Sequence, residues 1–187
     1  MSRLPAITRE ALTDEQRAVL ENIESGPRGN MGLVGPFGVY VRVPAVGNAV
    51  QNLGAAVRFG TELSENAKEV AICTVGAFFQ SKFEFAAHSS LAAKAGVSAE
   101  VIEAIRTGAT PTFDKDEEAA AHEVARTLLT EHRLDDDTYE RAIVVLGEQQ
   151  MIELVVTVGY YCTVSFTLNA FQIPIRDDMT DPFPDQA

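Results

Sequence analysis

An all-α fold is what this sequence predicts, on three observations. Helix-capping patterns recur ahead of apolar-periodic stretches, at Thr13–Gln16, Ser81–Glu84, Ser98 and Asp137–Glu140. There a side-chain oxygen can satisfy the orphan N–H groups of a first helical turn. Gly- and Pro-rich segments, not two-residue hairpin turns, separate those stretches. No two runs alternate apolar and polar residues convincingly enough to pair as strands.

Taken in order, Thr13-Asp-Glu-Gln16 opens a first helix that runs to about Glu24. Ser25 to Gly38 must be a loop, since Gly and Pro dominate it. Val39 to Val43 has the β-branched content of a strand, but Pro44 closes it and a short helix follows from Ala45 to Gly60. Leu63-Ser64 starts a helix from about Glu65 to Phe79. Ser81 with Glu84 then forms a second capping box for a helix ending near Gly96. Ser98 caps a short helix to Gly108, and Asp114 to His132 reads as a long acidic one. Asp137-Thr-Tyr-Glu140 caps a helix to about Leu146, and Glu148 to Phe171 forms the last. The tail from Ile173 is rich in Pro and Asp and is expected to lie extended on the surface or on a neighbouring subunit. The divisions expected are an arm at 1–43, a helical domain at 44–173 and an extended acidic tail at 174–187.

Composition narrows the function classes. At 187 residues, 46% hydrophobic and 22% charged, the chain suits one globular domain with a terminal arm and is not disordered in bulk. Asp and Glu number 27 against 15 Lys and Arg, a net charge of −12. Such a chain repels phosphate backbones and anionic lipid surfaces, so neither nucleic acid nor membrane is expected as a partner. Leu154 to Ile175 carries no charge and is long enough to span a bilayer. Its Thr, Ser, Asn, Gln and Pro residues, and the acids Glu148 and Glu153 before it, instead predict a central buried helix. Cys73 and Cys162 form neither a CxxC nor a zinc spacing and are expected to be reduced and buried. No metal and no cofactor is expected. The N-terminal MSRLPAITREALTDEQ lacks the apolar core of a signal peptide, which predicts a cytoplasmic address.

The chemistry concentrates between Leu63 and Gly96. Glu84 and His88 are spaced i, i+4 and share one helix face. Glu69 precedes His88 by 19 positions, about 28 Å along one straight helix. If the chain turns at Gln80-Ser81, two antiparallel helices return Glu69 to His88. A carboxylate beside an imidazole is an acid/base pair whose expected pH limb lies near the ordinary imidazole range, roughly 6 to 7. Plain alternatives stand beside this reading: Glu84 as only the cap of Ser81, Glu69 as a surface residue, and His88 as a hydrogen-bonded core residue. His122 and His132 are expected to be solvated on the acidic helix. Phe78, Phe79, Phe83 and Phe85 surround the helix junction and suit either a pocket lining or core, at least two of them core. Arg58 is a candidate anchor for a substrate carboxylate. A weak internal echo links Glu69-VAICTVGAFF to Glu153-LVVTVGYYC, as two similar packed helices would.

The ordered set L-S-x-x-x-K-E-V-A-I, F-E-F-A-A-H and S-S-L-A-A-K-A-G-V-S resembles the carboxymuconolactone decarboxylase, or alkylhydroperoxidase-D-like, family over roughly Pro44 to Ile173. The resemblance implies an oligomeric all-α bundle, as trimers, hexamers or dimers, with His88, Glu69 and Glu84 catalytic. Arg58, Ser81, Phe85 and Phe79 would then meet the substrate. The family's peroxidase branch uses cysteines seven and four positions before the His; here those positions are Ser81 and Glu84. The decarboxylase branch therefore fits better: a cofactor-independent lyase on a small carboxylated lactone of aromatic catabolism. Peroxidase activity and a non-catalytic small-molecule-binding oligomer are the alternatives. Phe85 stands where the family usually has Trp, and the loop GPRGNMGLVGPFGVYVRVP looks specialised.

Overall fold

The computed structural model describes residues 2–184. These form a 3₁₀ turn at Arg9–Ala11 and eight helical segments: α1 (Asp14–Ser25), α2 (Phe37–Tyr40), α3 (Pro44–Phe59), α4 (Glu65–Phe78), α5 (Lys82–Lys94), α6 (Ala99–Thr107), α7 (Asp116–Glu131) and α8 (Asp136–Ala170). No strand occurs among the described residues. The all-α expectation holds, and the β-branched run at Val39 folds instead as the end of the short α2. Inside α8, Gly147 leaves helical geometry at φ 72°, so two helices meet there, at the Leu146/Glu148 division the sequence marks. Gly accepts this left-handed φ without a Cβ penalty.

Capping was read correctly at some ends and not at others. Thr13 and Gln16 form the full reciprocal box, and the Ser98 hydroxyl accepts from the Val101 N–H. Ser81 makes no side-chain cap bond, so the expected box with Glu84 does not form. Asp135, not Asp137, caps α8, with its carboxylate accepting the Thr138 N–H at 2.7 Å.

Two compact units divide the described chain. One comprises the chain up to Thr61 together with Thr167–Pro174; the other comprises Glu62–Phe166 and the chain from Ile175 onward. The division falls at Thr61, not at the Val43/Pro44 boundary expected, because α3 packs against α1 and α2. The core of the first unit gathers Leu12, Val19, Leu20, Ile23, Phe37, Tyr40 and Val41. Gly47 permits its tight α2–α3 corner, where a Cβ would clash with the Tyr40 carbonyl oxygen.

The second unit is built around α4, which packs against α5, α6 and α7. Every residue from Ala67 to Gly76 is buried. Burying each aliphatic side chain in that run contributes about 1.5–3 kcal/mol before chain entropy is set against it. The tail lies mostly on the surface, as expected, except at its end. Phe183 is buried among Val70, Cys73, Phe85, Val101 and Ile105, and Asp181 pairs with Lys82 at 2.8 Å. The apolar part of α8 is long enough to cross a membrane, yet half of that window is buried inside the structure. Met151, Leu154, Val158 and Tyr161 turn inward at helical spacing, whereas Ile152, Val155 and Val156 are exposed. The expected central buried helix is therefore buried on one face.

Candidate active site

Gln80, at φ 49°, reverses the chain between α4 and α5. The Ser81 N–H then donates to the Gly76 carbonyl at 2.8 Å. Gly76 lets α5 come close: a Cβ there would stand 3.3 Å from the Phe85 backbone nitrogen. This close antiparallel pairing returns Glu69 to His88, and the 19-residue separation closes to a hydrogen bond. His88 Nδ1 lies 2.7 Å from Glu69 Oε2, and His88 Nε2 lies 3.1 Å from Glu84 Oε1. Glu69 is 1% exposed and Glu84 4%, so neither carboxylate is a surface group. Glu84 is spent on the imidazole, not on a cap.

Both ring nitrogens face carboxylates, and only the doubly protonated imidazolium donates at both. Burial alone pulls the His88 pKa down. The charges of Glu69 and Glu84 and the hydrogen bonds to both outweigh it and raise the pKa from 6.5 to about 9. This shift places the limb expected at 6 to 7 higher and favours the protonated form of His88 at neutral pH. Tyr161 from α8 stands edge-on to the His88 ring, with centroids 5.0 Å apart. Tyr161 is a neighbour the sequence reading missed; its only signal was the aromatic pair closing the internal echo. The acid of that echo acts differently, since Glu153 Oε2 accepts the Glu62 and Leu63 N–H groups at the entry to α4.

The other expected residues have the following surroundings within their own units. Ser81 is fully buried and its hydroxyl has no hydrogen-bond partner. Phe85 is buried against Phe183, with ring centroids 5.3 Å apart, and belongs to core. Phe79 is half-buried and edge-on to Phe78 and Phe166. Arg58 lies on α3 in the other compact unit, where its guanidinium stacks over the Phe59 ring at 5.6 Å. Cys73 lies deep in the core, and burial followed by the charges of Glu69 and Glu84 pushes its thiol well above the usual range. Cys162 is half-buried, so only Cys73 meets the expectation of full burial.

Residues 44–127 match the model of the carboxymuconolactone decarboxylase family. Over that stretch, a little under half of its length, the chain is similar to the carboxymuconolactone decarboxylase family. That match covers α3 to most of α7 and contains the whole Glu69–His88–Glu84 constellation. Solved structures share the fold at low identity. An uncharacterised peroxidase-related protein with an alkylhydroperoxidase AhpD core, from Ralstonia eutropha JMP134, aligns with TM-score 0.74 and 15% identity over 95% of this chain and 93% of its own. An uncharacterised peroxidase-related protein from Silicibacter sp. TM1040 gives TM-score 0.74 and 12% identity over the same shares. A protein of unknown function from Agrobacterium tumefaciens, with a suggested antioxidant-defence role as an AhpD, gives 0.65 and 15% over 73% of this chain and 94% of its own. No curated protein matches the sequence. The partial family match and the AhpD-like all-α fold thus agree with the resemblance read from the motifs.

Proposed function

We propose that the protein is a cofactor-independent lyase that decarboxylates a small carboxylated lactone, or a related intermediate of aromatic catabolism, with His88 as the proton donor. The observation that carries this reading is the His88 imidazole held between two buried carboxyl groups, 2.7 Å and 3.1 Å away. In such a reaction the C–C bond to the carboxylate breaks and CO2 leaves. The electron pair passes into the lactone carbonyl as a dienolate, and a proton from the enzyme quenches the carbanionic carbon. Glu69 is the positioning residue, holding the ring by the shorter bond. The longer Nε2 bond marks Glu84 as the partner that yields when substrate takes the proton, and Glu84 then helps to restore it.

Peroxide reduction, which the names of two structural neighbours suggest, needs a thiolate that can attack and a second thiol that can resolve. Cys73 and Cys162 are both pushed toward the protonated thiol, chiefly by burial, which disfavours that route. We further assign the protein to the cytoplasm as a homo-oligomer. The exposed apolar residues Val144, Ile152, Val155, Val156 and Phe166 of α8 supply a face for a second copy. Sedimentation analysis checks that assignment, and a monomer at micromolar concentration contradicts it.

The deciding experiment is a turnover screen on carboxymuconolactones and related lactone acids, read by ultraviolet absorbance and CO2 release. It compares wild type, His88→Ala and a Cys73→Ala/Cys162→Ala double variant. The lyase reading predicts turnover that vanishes in His88→Ala and survives in the cysteine variant. Peroxide turnover that vanishes with the cysteines, with no lactone acid consumed, would overturn it. A ligand bound but never turned over, with affinity changed only modestly by His88→Ala, would mark a non-catalytic binding oligomer.

A further inference from the structure

The opposite side of α4 holds a second arrangement that the acid/base centre does not use. A cleft of about 160 Å³ lies between the C-terminal half of α4, the end of α6 and α7, with Ala77, Ile105 and Leu129 in its wall beside Thr74, His122 and Arg126. None of Glu69, Glu84 and His88 lines it.

Its charge is unbalanced. Arg106 also lines the cleft, but each of its nitrogens already donates and its charge is offset: Nε and Nη2 to Glu103 at 2.7 Å each, and Nη1 to the Pro182 carbonyl at 2.9 Å. Arg126 is exposed, and the acids nearest in sequence on these helices are occupied, Glu103 by Arg106 and Glu123 by Arg141 at 2.6 Å. In a chain of net charge −12, this is a guanidinium at the mouth of a half-apolar cleft. A guanidinium fork matches a carboxylate in shape and charge.

The second polar group is fixed by its neighbours. The Thr74 hydroxyl donates to the Val70 carbonyl at 2.8 Å, so its oxygen accepts from His122 Nδ1 at 3.0 Å. The proton therefore sits on Nδ1, and Nε2 is an acceptor that seeks a donor. A carboxylate alone offers Nε2 nothing to accept; a hydroxyl does.

We propose that this cleft binds a small hydroxy-carboxylate, with the carboxylate on Arg126, the hydroxyl donating to His122 Nε2 and the carbon body against Ala77, Ile105 and Leu129. The state of His122 agrees with this. Burial, then the charge of Arg126, brings its pKa down to about 4, with Glu123 opposing. Arg106 from α6 is the other cation in the cleft wall, its charge offset by Glu103. An anion seated on Arg126 cancels part of this push, so binding raises the His122 pKa.

The test is a nuclear magnetic resonance titration of the full-length protein with ¹⁵N-labelled histidine, using 2-hydroxybutyrate, butyrate and chloride at constant ionic strength. The expected result is a saturable shift of the His122 ring signals with 2-hydroxybutyrate, several-fold weaker binding of butyrate, and no saturable shift with chloride. Arg126→Ala weakens 2-hydroxybutyrate binding by about tenfold or more, the loss of one charge-assisted hydrogen bond, and Arg126→Lys falls between. Because Arg126 is exposed, both variants keep the fold, which circular dichroism checks. His122 signals unmoved by 2-hydroxybutyrate, moved equally by chloride, or moved equally in Arg126→Ala would overturn the site. Equal affinity for butyrate and 2-hydroxybutyrate would overturn the hydroxyl contact.

Discussion

Two histidines pack against opposite sides of the same helix and are driven in opposite directions. His88, on α5, meets Glu69 of α4, and its pKa rises to about 9. His122, on α7, meets Thr74 of α4, and its pKa falls to about 4. Burial acts on both in the same sense, against the charged ring. What reverses the outcome at His88 is a pair of carboxylates, one at each ring nitrogen; at His122 the partner is a hydroxyl and the nearby charge is the Arg126 cation. One helix therefore supports a stored acid on one side and a neutral acceptor on the other. At His88 the two carboxylates outweigh burial; at His122 burial, joined by the Arg126 cation on the same helix, prevails over the opposing charge of Glu123.

Breaking the His88 side should have the largest effect. On any substrate that wild type turns over, His88→Ala should lower kcat by about 10²–10⁴-fold, the usual cost of losing a positioned acid. A loss below about tenfold, measured with the same substrate, would remove His88 from the chemistry.

Stability against pH comes next. His88 binds its proton more tightly in the folded state, so its contribution is fully present below about pH 6.5 and is lost as pH rises through about 9. The gap is worth about 3 kcal/mol at most. His122 does the reverse: its contribution is present above about pH 6.5 and is lost as pH falls through about 4. Thermal melts of wild type should therefore decline between pH 7 and 9.5, and Glu84→Gln should flatten that limb. An unchanged limb in Glu84→Gln would separate the decline from His88.

A smaller effect ranks the two carboxylates. Glu69→Gln should lower the His88 pKa more than Glu84→Gln, because the Glu69 bond is shorter and its charge acts more strongly. Titration of the His88 ring protons reads this directly, and the reverse order would make Glu84 the principal partner. The smallest effect belongs to Thr74→Val, which removes the bond that fixes the His122 tautomer. It should cost about 1 kcal/mol in denaturant unfolding and leave the His88 pKa unmoved. A shift at His88 would show that the two sides are coupled through α4.

Much of the His88 side was legible in the sequence because it depends on short-range spacing. The i, i+4 pair Glu84/His88 and a turn at Gln80-Ser81 suffice to bring Glu69 back. The function of Glu84 was ambiguous for a physical reason: a carboxylate three residues after a Ser serves a cap or a neighbour equally well until the Ser81 rotamer is known. The extent of the His88 shift was hidden, since it requires both carboxylates on one ring and no water between. His122 was misread as solvated because only the packing of α7 on α4 brings Thr74 and Phe113 to it, and such a contact leaves no local pattern. Phe183 was misread for the same reason: a Pro- and Asp-rich tail reads as surface, yet one aromatic ring found the core of the second unit. The helix content itself came through well, because caps, Gly147 and Pro44 punctuate the chain locally.

The measurement that tests this account most directly is a side-by-side nuclear magnetic resonance titration of His88 and His122 in one sample between pH 4 and 10. The account predicts that His88 stays doubly protonated through pH 8 and titrates near 9, while His122 stays neutral, protonated on Nδ1, down to about pH 5. Both rings titrating together near 6.5 would contradict it, because the carboxylates at His88 and the burial of His122 would then not be setting the histidines apart.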